Sequence, residues 1–183
     1  MSRPEARPLP GDQVLPGADL VMDRVLDLDG TPDEVWPWLE QLGKERAGWY
    51  LPRVVEIVIP RSRRGARRLE SRWQGLRVGD TIPDWGTGSP TFEILQLERP
   101  RYLVYWSERP RSDRRGVVRP PLRLTWALAL DPRGEAASRL HLRLRLDLGH
   151  PAGPVAAYGG GLIDWLTVRL LGGGLNERLV RKL

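Results

Sequence analysis

Two stretches of the chain alternate leucine with polar or small residues over lengths that only an extended backbone can use. In residues 122–130, Leu122, Leu124, Trp126, Leu128 and Leu130 alternate with Arg123, Thr125, Ala127 and Ala129. In residues 139–148, Leu140, Leu142, Leu144, Leu146 and Leu148 alternate with Arg139, His141, Arg143, Arg145 and Asp147. Successive side chains of a strand point to opposite faces, so a period of two predicts strands that are apolar on one face and solvated on the other. Asp131-Pro132-Arg133-Gly134 joins them with turn chemistry, which makes the pair antiparallel.

An apolar sheet face must be covered, and the C-terminal segment offers Ile163, Leu166 and Leu170, then Leu175 and Leu179, at helical spacing. Gly172-Gly173-Gly174 interrupts that series, and each glycine costs a helix interior about 1 kcal/mol relative to alanine. The expectation is a helix from near Leu162 that bends or breaks at the glycines, whose missing side chains would leave space beneath it.

Upstream, Leu20, Met22, Leu26 and Leu28 share one parity and predict a half-buried strand. Thr31-Pro32-Asp33-Glu34 then has the residues of a capping box with proline at the first helical position, so a helix follows with Val35, Trp38, Leu39 and Leu42 inward. Pro37 inside it predicts a kink. Residues 48–60 are read as a short second helix, although their β-branched residues also suit a strand. Residues 91–97 and 101–107 flank Glu98-Arg99-Pro100 as a second hairpin.

At 183 residues the chain suits one domain, residues 18–183, behind an extended arm, residues 1–17, punctuated by Pro4, Pro8, Pro10 and Pro16. The arm has no apolar run of signal-peptide length, and residues 155–175 carry Asp164 and Arg169, so neither export nor membrane insertion is expected and the default location is cytoplasmic. Zero cysteines exclude disulfides and thiolate chemistry. His141 and His150 alone give no metal-ligand spacing, so neither metal nor cofactor is expected.

The order of elements, and several motifs within it, resemble the SRPBCC superfamily of START-like, helix-grip proteins, which includes polyketide cyclases and lipid-transfer domains. The motifs are Arg7-Pro8-Leu9-Pro10-Gly11-Asp12, Glu34-Val35-Trp36-Pro37-Trp38-Leu39, Gln41-Leu42-Gly43-Lys44 with Ala47-Gly48-Trp49-Tyr50, Trp73-Gln74-Gly75-Leu76, and Val78-Gly79-Asp80. The chain looks like a bacterial branch of that superfamily. The resemblance implies an α+β helix-grip fold: a curved antiparallel sheet of six to seven strands wrapped around a long C-terminal helix, with two short helices after strand 1. It also implies a cavity between sheet and helix, and an extra strand near residues 69–74.

The expected function is binding of a hydrophobic small molecule in that cavity. Trp85, Tyr105, Trp106, Leu124, Trp126, Leu142, Leu144, Trp165 and Leu166 are the candidate lining residues, because they fall on the sheet, its adjacent loop and the facing helix. Core packing competes for most of the leucines, and it is the preferred role for Trp36, Trp38 and Trp49. A cyclase or dehydratase would use the same cavity with Asp84, Glu93, Tyr105 or Asp164 moving protons. His141 shares its parity with the arginines and is not a candidate. Whether the protein is a carrier or an enzyme, and a monomer or a homodimer, stays open.

The net charge of +6 comes from 29 basic side chains of which only Lys44 and Lys182 are lysine, a pattern typical of GC-rich coding. Arg61, Arg63, Arg64, Arg67 and Arg68 form one basic cluster, and Arg109, Arg111, Arg114, Arg115 and Arg119 another. An anionic partner for these loops is a third reading. Nucleic acid is disfavoured, because no aromatic residues are interleaved. The two clusters share one end of the sheet only if the extra strand near residues 69–74 exists.

Overall fold

The alternating leucines pair as their period requires. In the computed structural model, β5 (Val118–Pro132) and β6 (Ser138–Asp147) run antiparallel, with Trp126 opposite Leu144, Leu128 opposite Leu142 and Leu130 opposite Leu140. The structure describes residues 7–85, 88–112, 116–149 and 154–180, with backbone alone for residues 154–163. The arm's first six residues, Gly86-Thr87, Arg114, Arg115, His150 and the Ile163 side chain lie outside that description.

Six strands form one sheet, in which β1 (Leu20–Leu28) flanks β6 and the remaining order is β5, β4 (Tyr102–Ser112), β3 (Thr91–Glu98) and β2 (Thr81–Pro83), each pair antiparallel. Three helices accompany it: α1 (Pro32–Gln41), the single turn α2 (Arg53–Glu56), and α3 (Pro154–Leu179) across the apolar face. This is the α+β, helix-grip-like arrangement expected, with six strands. The core lies between sheet and helices and includes Leu28, Leu39, Leu103, Leu128, Leu140, Leu142, Leu171 and Leu175.

The α1 cap forms as read. The Glu34 amide donates to Thr31 Oγ1 at 3.4 Å and the Thr31 amide to Glu34 Oε2 at 3.0 Å, and Pro37 sits inside the helix without ending it. The second helix shrinks to four residues between Pro52 and Pro60, and its β-branched stretch is largely outside the core: Val54 within it and Ile57 and Val58 after it are exposed.

Four expectations need correction. No strand forms at residues 69–74, where Ser71–Trp73 is a 3-10 turn. Gln41, fully buried, occupies backbone groups that a strand would need, donating to the Arg68 carbonyl at 3.2 Å and accepting from the Glu70 amide at 3.1 Å. The extra strand is instead β2, at the sheet edge.

The outer face of β5–β6 is not simply solvated. Residues 9–15 lie against it, burying Leu9 and Leu15, and Arg143 is only 4% exposed, held by Asp12 at 2.6 Å and Asp23 at 2.6 Å. Gly11, at φ 87°, fits against Val104, where a Cβ would come within 2.6 Å of Cγ1.

Helix α3 runs unbroken through the glycines, and they leave no empty space. A Cβ on Gly172 would lie 3.0 Å from Leu26, on Gly173 3.1 Å from Pro52, and on Gly174 2.5 Å from the Tyr50 backbone carbon. The glycines therefore admit close packing of α3 onto β1 and onto the chain after α1. They also rotate the buried stripe to Val168, Leu171, Leu175 and Leu179, leaving Leu166 51% exposed.

The described residues of the two basic clusters lie at opposite ends of the sheet. Residues 61–68 meet the C-terminal end of α3, where Arg178 donates to the Ala66 carbonyl at 2.8 Å and Arg67 meets Glu177 at 3.1 Å. That helix end also meets the end of β1, since Asn176 accepts from the Asp29 amide. The β4–β5 connection falls at the other end, because β4 runs antiparallel to β1.

Gly174→Ala is expected to cost about 3 kcal/mol despite the helix propensity gained, because backbone rather than a mobile side chain must move. Gly173→Ala should stay within about 1 kcal/mol of the parent protein, since the strain at Pro52 and the propensity gain offset each other. Thermal unfolding of both variants checks this. A Gly174→Ala Tm no lower than that of Gly173→Ala would contradict the packing account.

Candidate functional site

A single rung of cross-strand neighbours floors the site. Met22 on β1 faces Leu144 on β6, Leu144 faces Trp126 on β5, and Trp126 faces Tyr105 on β4. Directly opposite residues in a sheet project from the same face. Phe92 and Ile82, partners in the β2–β3 pairing, extend the floor toward the sheet edge. Above the rung lie Asp164, Thr167 and Val168 of α3, and Trp49 closes the side. Together with Pro83, Asp84 and Trp85 they line an apolar, partly open pocket of about 370 Å³.

The pocket wall is aromatic. Trp126 is stacked between Trp49, at 5.9 Å and 21°, and Tyr105, at 5.6 Å and 24°. Phe92, the only phenylalanine of the chain, lies 5.6 Å from Tyr105, and Trp85 meets the edge of Trp49 at 6.3 Å. Offset and edge-to-face pairs at such separations are favourable, so the rings hold one another in place around the space. Trp49 is tied to α3 by a long hydrogen bond, 3.4 Å, from its Nε1 to the Thr167 carbonyl.

Few charges reach this space, and they come in pairs. Asp84 is ion-paired with Arg109, whose guanidinium also lies 5.6 Å from the Phe92 ring. Asp164 faces Arg24 at 2.9 Å, an approach whose angles fall outside a hydrogen bond and which therefore acts through charge. Burial pushes the Asp164 carboxyl above the ordinary 3.8, and Arg24 opposes that rise. Burial likewise drives the Tyr105 phenol well above its ordinary range, so it stays protonated.

Of the residues proposed from sequence, Trp85, Tyr105, Trp126 and Leu144 line the pocket together. The other five do not. Leu142 is core, and Leu124 is buried away from the pocket. Trp106 is turned to the outer face by strand alternation, beside Thr125. Trp165 and Leu166 point outward because the glycines set which face of α3 is inside.

Among the candidate proton-transfer groups, Asp84, Tyr105 and Asp164 reach the pocket, and Glu93 is exposed. His141 stays on the outer face, 3.3 Å from Asp131, with burial lowering its pKa. The hydrophobic pattern does not single out Met22, Ile82, Phe92 and Thr167 as lining residues, and Trp49 both packs on the core and lines the pocket. Phe92 shares its parity with Ile94 and could have been found from that. Trp49 directly follows the short Gly43–Gly48 bridge, and its place in the wall is set by partners far along the chain, Trp126 and the Thr167 carbonyl.

Among the described residues no cluster of His, Cys, Asp and Glu could hold a metal, and no helix is long and apolar enough to cross a membrane. No protein-family model matches the sequence, and no curated protein matches it. Solved structures do match. A protein from Arthrobacter aurescens is 17% identical, with a TM-score of 0.52 over 87% of this chain and 87% of that one. A conserved protein from Geobacillus kaustophilus is 13% identical, with a TM-score of 0.51 over 88% of this chain and 96% of that one. At these identities the likeness establishes the fold alone.

The charge balance at Asp164 is testable. Its folded pKa exceeds 3.8, so its proton-linked stabilisation is complete below pH 3.8 and is lost as pH rises through the folded value. Asp164→Asn should therefore gain Tm relative to the parent protein as pH climbs from below 3.8 to neutrality. Arg24→Gln should raise the Asp164 titration midpoint further, followed by carboxyl NMR. An Asp164 midpoint at or below 3.8 in the parent protein would contradict this reading.

Proposed function

We propose that this protein binds an apolar, planar small molecule in the pocket between its sheet and α3, in the manner of the START-like SRPBCC proteins that its sequence resembles. The observation that supports the reading is the ring of Trp49, Trp85, Phe92, Tyr105 and Trp126 around a space of about 370 Å³. Pockets of this size suit small organic ligands, and a few polar groups among apolar walls fix orientation. A core built only for stability would fill such a space, since each buried methyl group left without neighbours costs roughly 1 kcal/mol. Flat aromatic walls favour a flat ligand, which stacks without losing much rotational freedom.

The test is a fluorescence titration with 2-naphthol, read through quenching of the pocket indoles. Saturable quenching is expected. Trp126→Ala should weaken it by at least about tenfold, the equivalent of one stacking contact of roughly 1.4 kcal/mol. Leu144→Trp, which fills the pocket from β6, should abolish it while leaving the far-ultraviolet circular dichroism unchanged. Quenching that is linear with 2-naphthol concentration, or indifferent to both substitutions, would overturn the proposal.

A second reading is favoured by one observation, the Asp164 carboxyl held above its ordinary pKa within an apolar pocket. Such a group can take a proton from a carbon next to a carbonyl. If the protein is a proton-transfer enzyme, it should speed exchange of the α-hydrogens of 2-tetralone in heavy water, and Asp164→Asn should abolish that exchange without preventing binding. Exchange at the buffer rate leaves binding as the function.

A further inference from the structure

Residues 53–68 combine two features that the pocket does not explain. Val54, Ile57 and Val58 are 72%, 73% and 83% exposed, and their spacing of three and four places them on one side of the α2 turn and its continuation. The surrounding residues Arg53, Arg61, Arg63, Arg64 and Arg68 are also exposed. Among the described residues none of these five has a carboxylate at ion-pair distance.

The absence of countercharge is built into the fold. Glu56 is the only acidic residue between positions 53 and 68, and it is buried, turned inward onto Arg67 at 2.6 Å and Arg178 at 3.2 Å. Glu177 is likewise engaged by Arg67 at 3.1 Å and by the Arg53 amide at 3.0 Å. Arg64 stays beside the aliphatic tip through its hydrogen bond to the Ile59 carbonyl at 2.8 Å. The acidic groups are thus withdrawn, and the outward surface keeps bare aliphatic side chains amid uncompensated cations.

We infer that this surface docks peripherally on an anionic lipid bilayer. Phosphate or carboxylate groups alone would satisfy the arginines and leave Val54, Ile57 and Val58 in water. An acyl-chain surface alone would desolvate the arginines. The interface of a bilayer rich in anionic headgroups satisfies both at once: short aliphatic side chains enter the acyl boundary while guanidinium groups stay at phosphate level. A surface of this kind needs no helix long enough to span, in keeping with the absence of one among the described residues.

The test is co-sedimentation of the full chain with vesicles of phosphatidylglycerol and phosphatidylcholine in equal parts, against vesicles of phosphatidylcholine alone, at low salt. Binding to the anionic vesicles and none to the neutral ones is expected, weakening as salt rises. Ile57→Ser with Val58→Ser, and separately Arg61→Ser with Arg63→Ser, should each lower the partition coefficient by about tenfold. All four positions are exposed, so both variants should keep the parent Tm, which confirms that they fold.

Failure to sediment with anionic vesicles would overturn the inference. So would binding that the arginine variant loses and the Ile57–Val58 variant keeps, the pattern of a purely ionic contact with nucleic acid or an acidic protein. Neither result bears on 2-naphthol binding, which concerns a different part of the molecule.

Discussion

The rest of the molecule is arranged around one close approach, that of Gly174 to the backbone of Tyr50 and Leu51. A Cβ there would lie 2.5–2.7 Å from three backbone atoms, so the helix and the segment after α1 meet at a distance only glycine permits. Arg178, one turn further along, locks the contact. It donates to the Gly174 and Ala66 carbonyls at 2.6 and 2.8 Å, pairs with Glu56, and stacks over Tyr50 at 4.5 Å. Its burial lowers its pKa, but an arginine keeps its charge over any working pH. Removing it would leave Glu56 buried and short of one of its two partners, the situation in which breaking a buried pair costs about 3–5 kcal/mol.

That fixed end has a consequence at the other. Two to three turns toward the start of α3, at Asp164, Thr167 and Val168, the side chains facing the helix are no longer leucines packed on glycine but the rings of Trp49 and Trp126. Along the described part of α3, the glycines thus meet backbone and aliphatic side chains closely, whereas Asp164, Thr167 and Val168 border the pocket. The same sheet supports core and pocket because neighbouring rungs differ: Leu128–Leu142 is filled, whereas Trp126–Leu144 borders space.

The parts legible in the sequence were those whose information is local. Strand alternation identified β5 and β6 and the face that looks inward, and Thr31 with Glu34 identified the start of α1. Four pocket residues were legible: Trp126 and Leu144 from that parity, Tyr105 from its place on the neighbouring strand, and Trp85 from the loop beside the sheet. The parts that escaped depend on contacts between distant segments. Glycines 172–174 look like a helix breaker until Leu26, Pro52 and Tyr50 are seen against them. Hydrophobic spacing cannot register a glycine as an inward-facing residue, and so Trp165 and Leu166 were assigned to the wrong side. The alternation makes Arg143 a solvated residue because its partner Asp12 comes from the other end of the chain. The site was thus half visible, its sheet floor in the pattern of leucines and its roof hidden in tertiary contact.

The central claim is that the space beneath α3 is a binding site and not a packing flaw. Native mass spectrometry of the protein recovered from its own cells, followed by organic extraction, addresses it without presuming the ligand. The account predicts a discrete non-covalent mass increment of a single small molecule per chain, recoverable by extraction and strongly absorbing in the ultraviolet as a conjugated planar compound should. A spectrum containing only the bare chain, together with an extract empty of any stoichiometric compound, would contradict it.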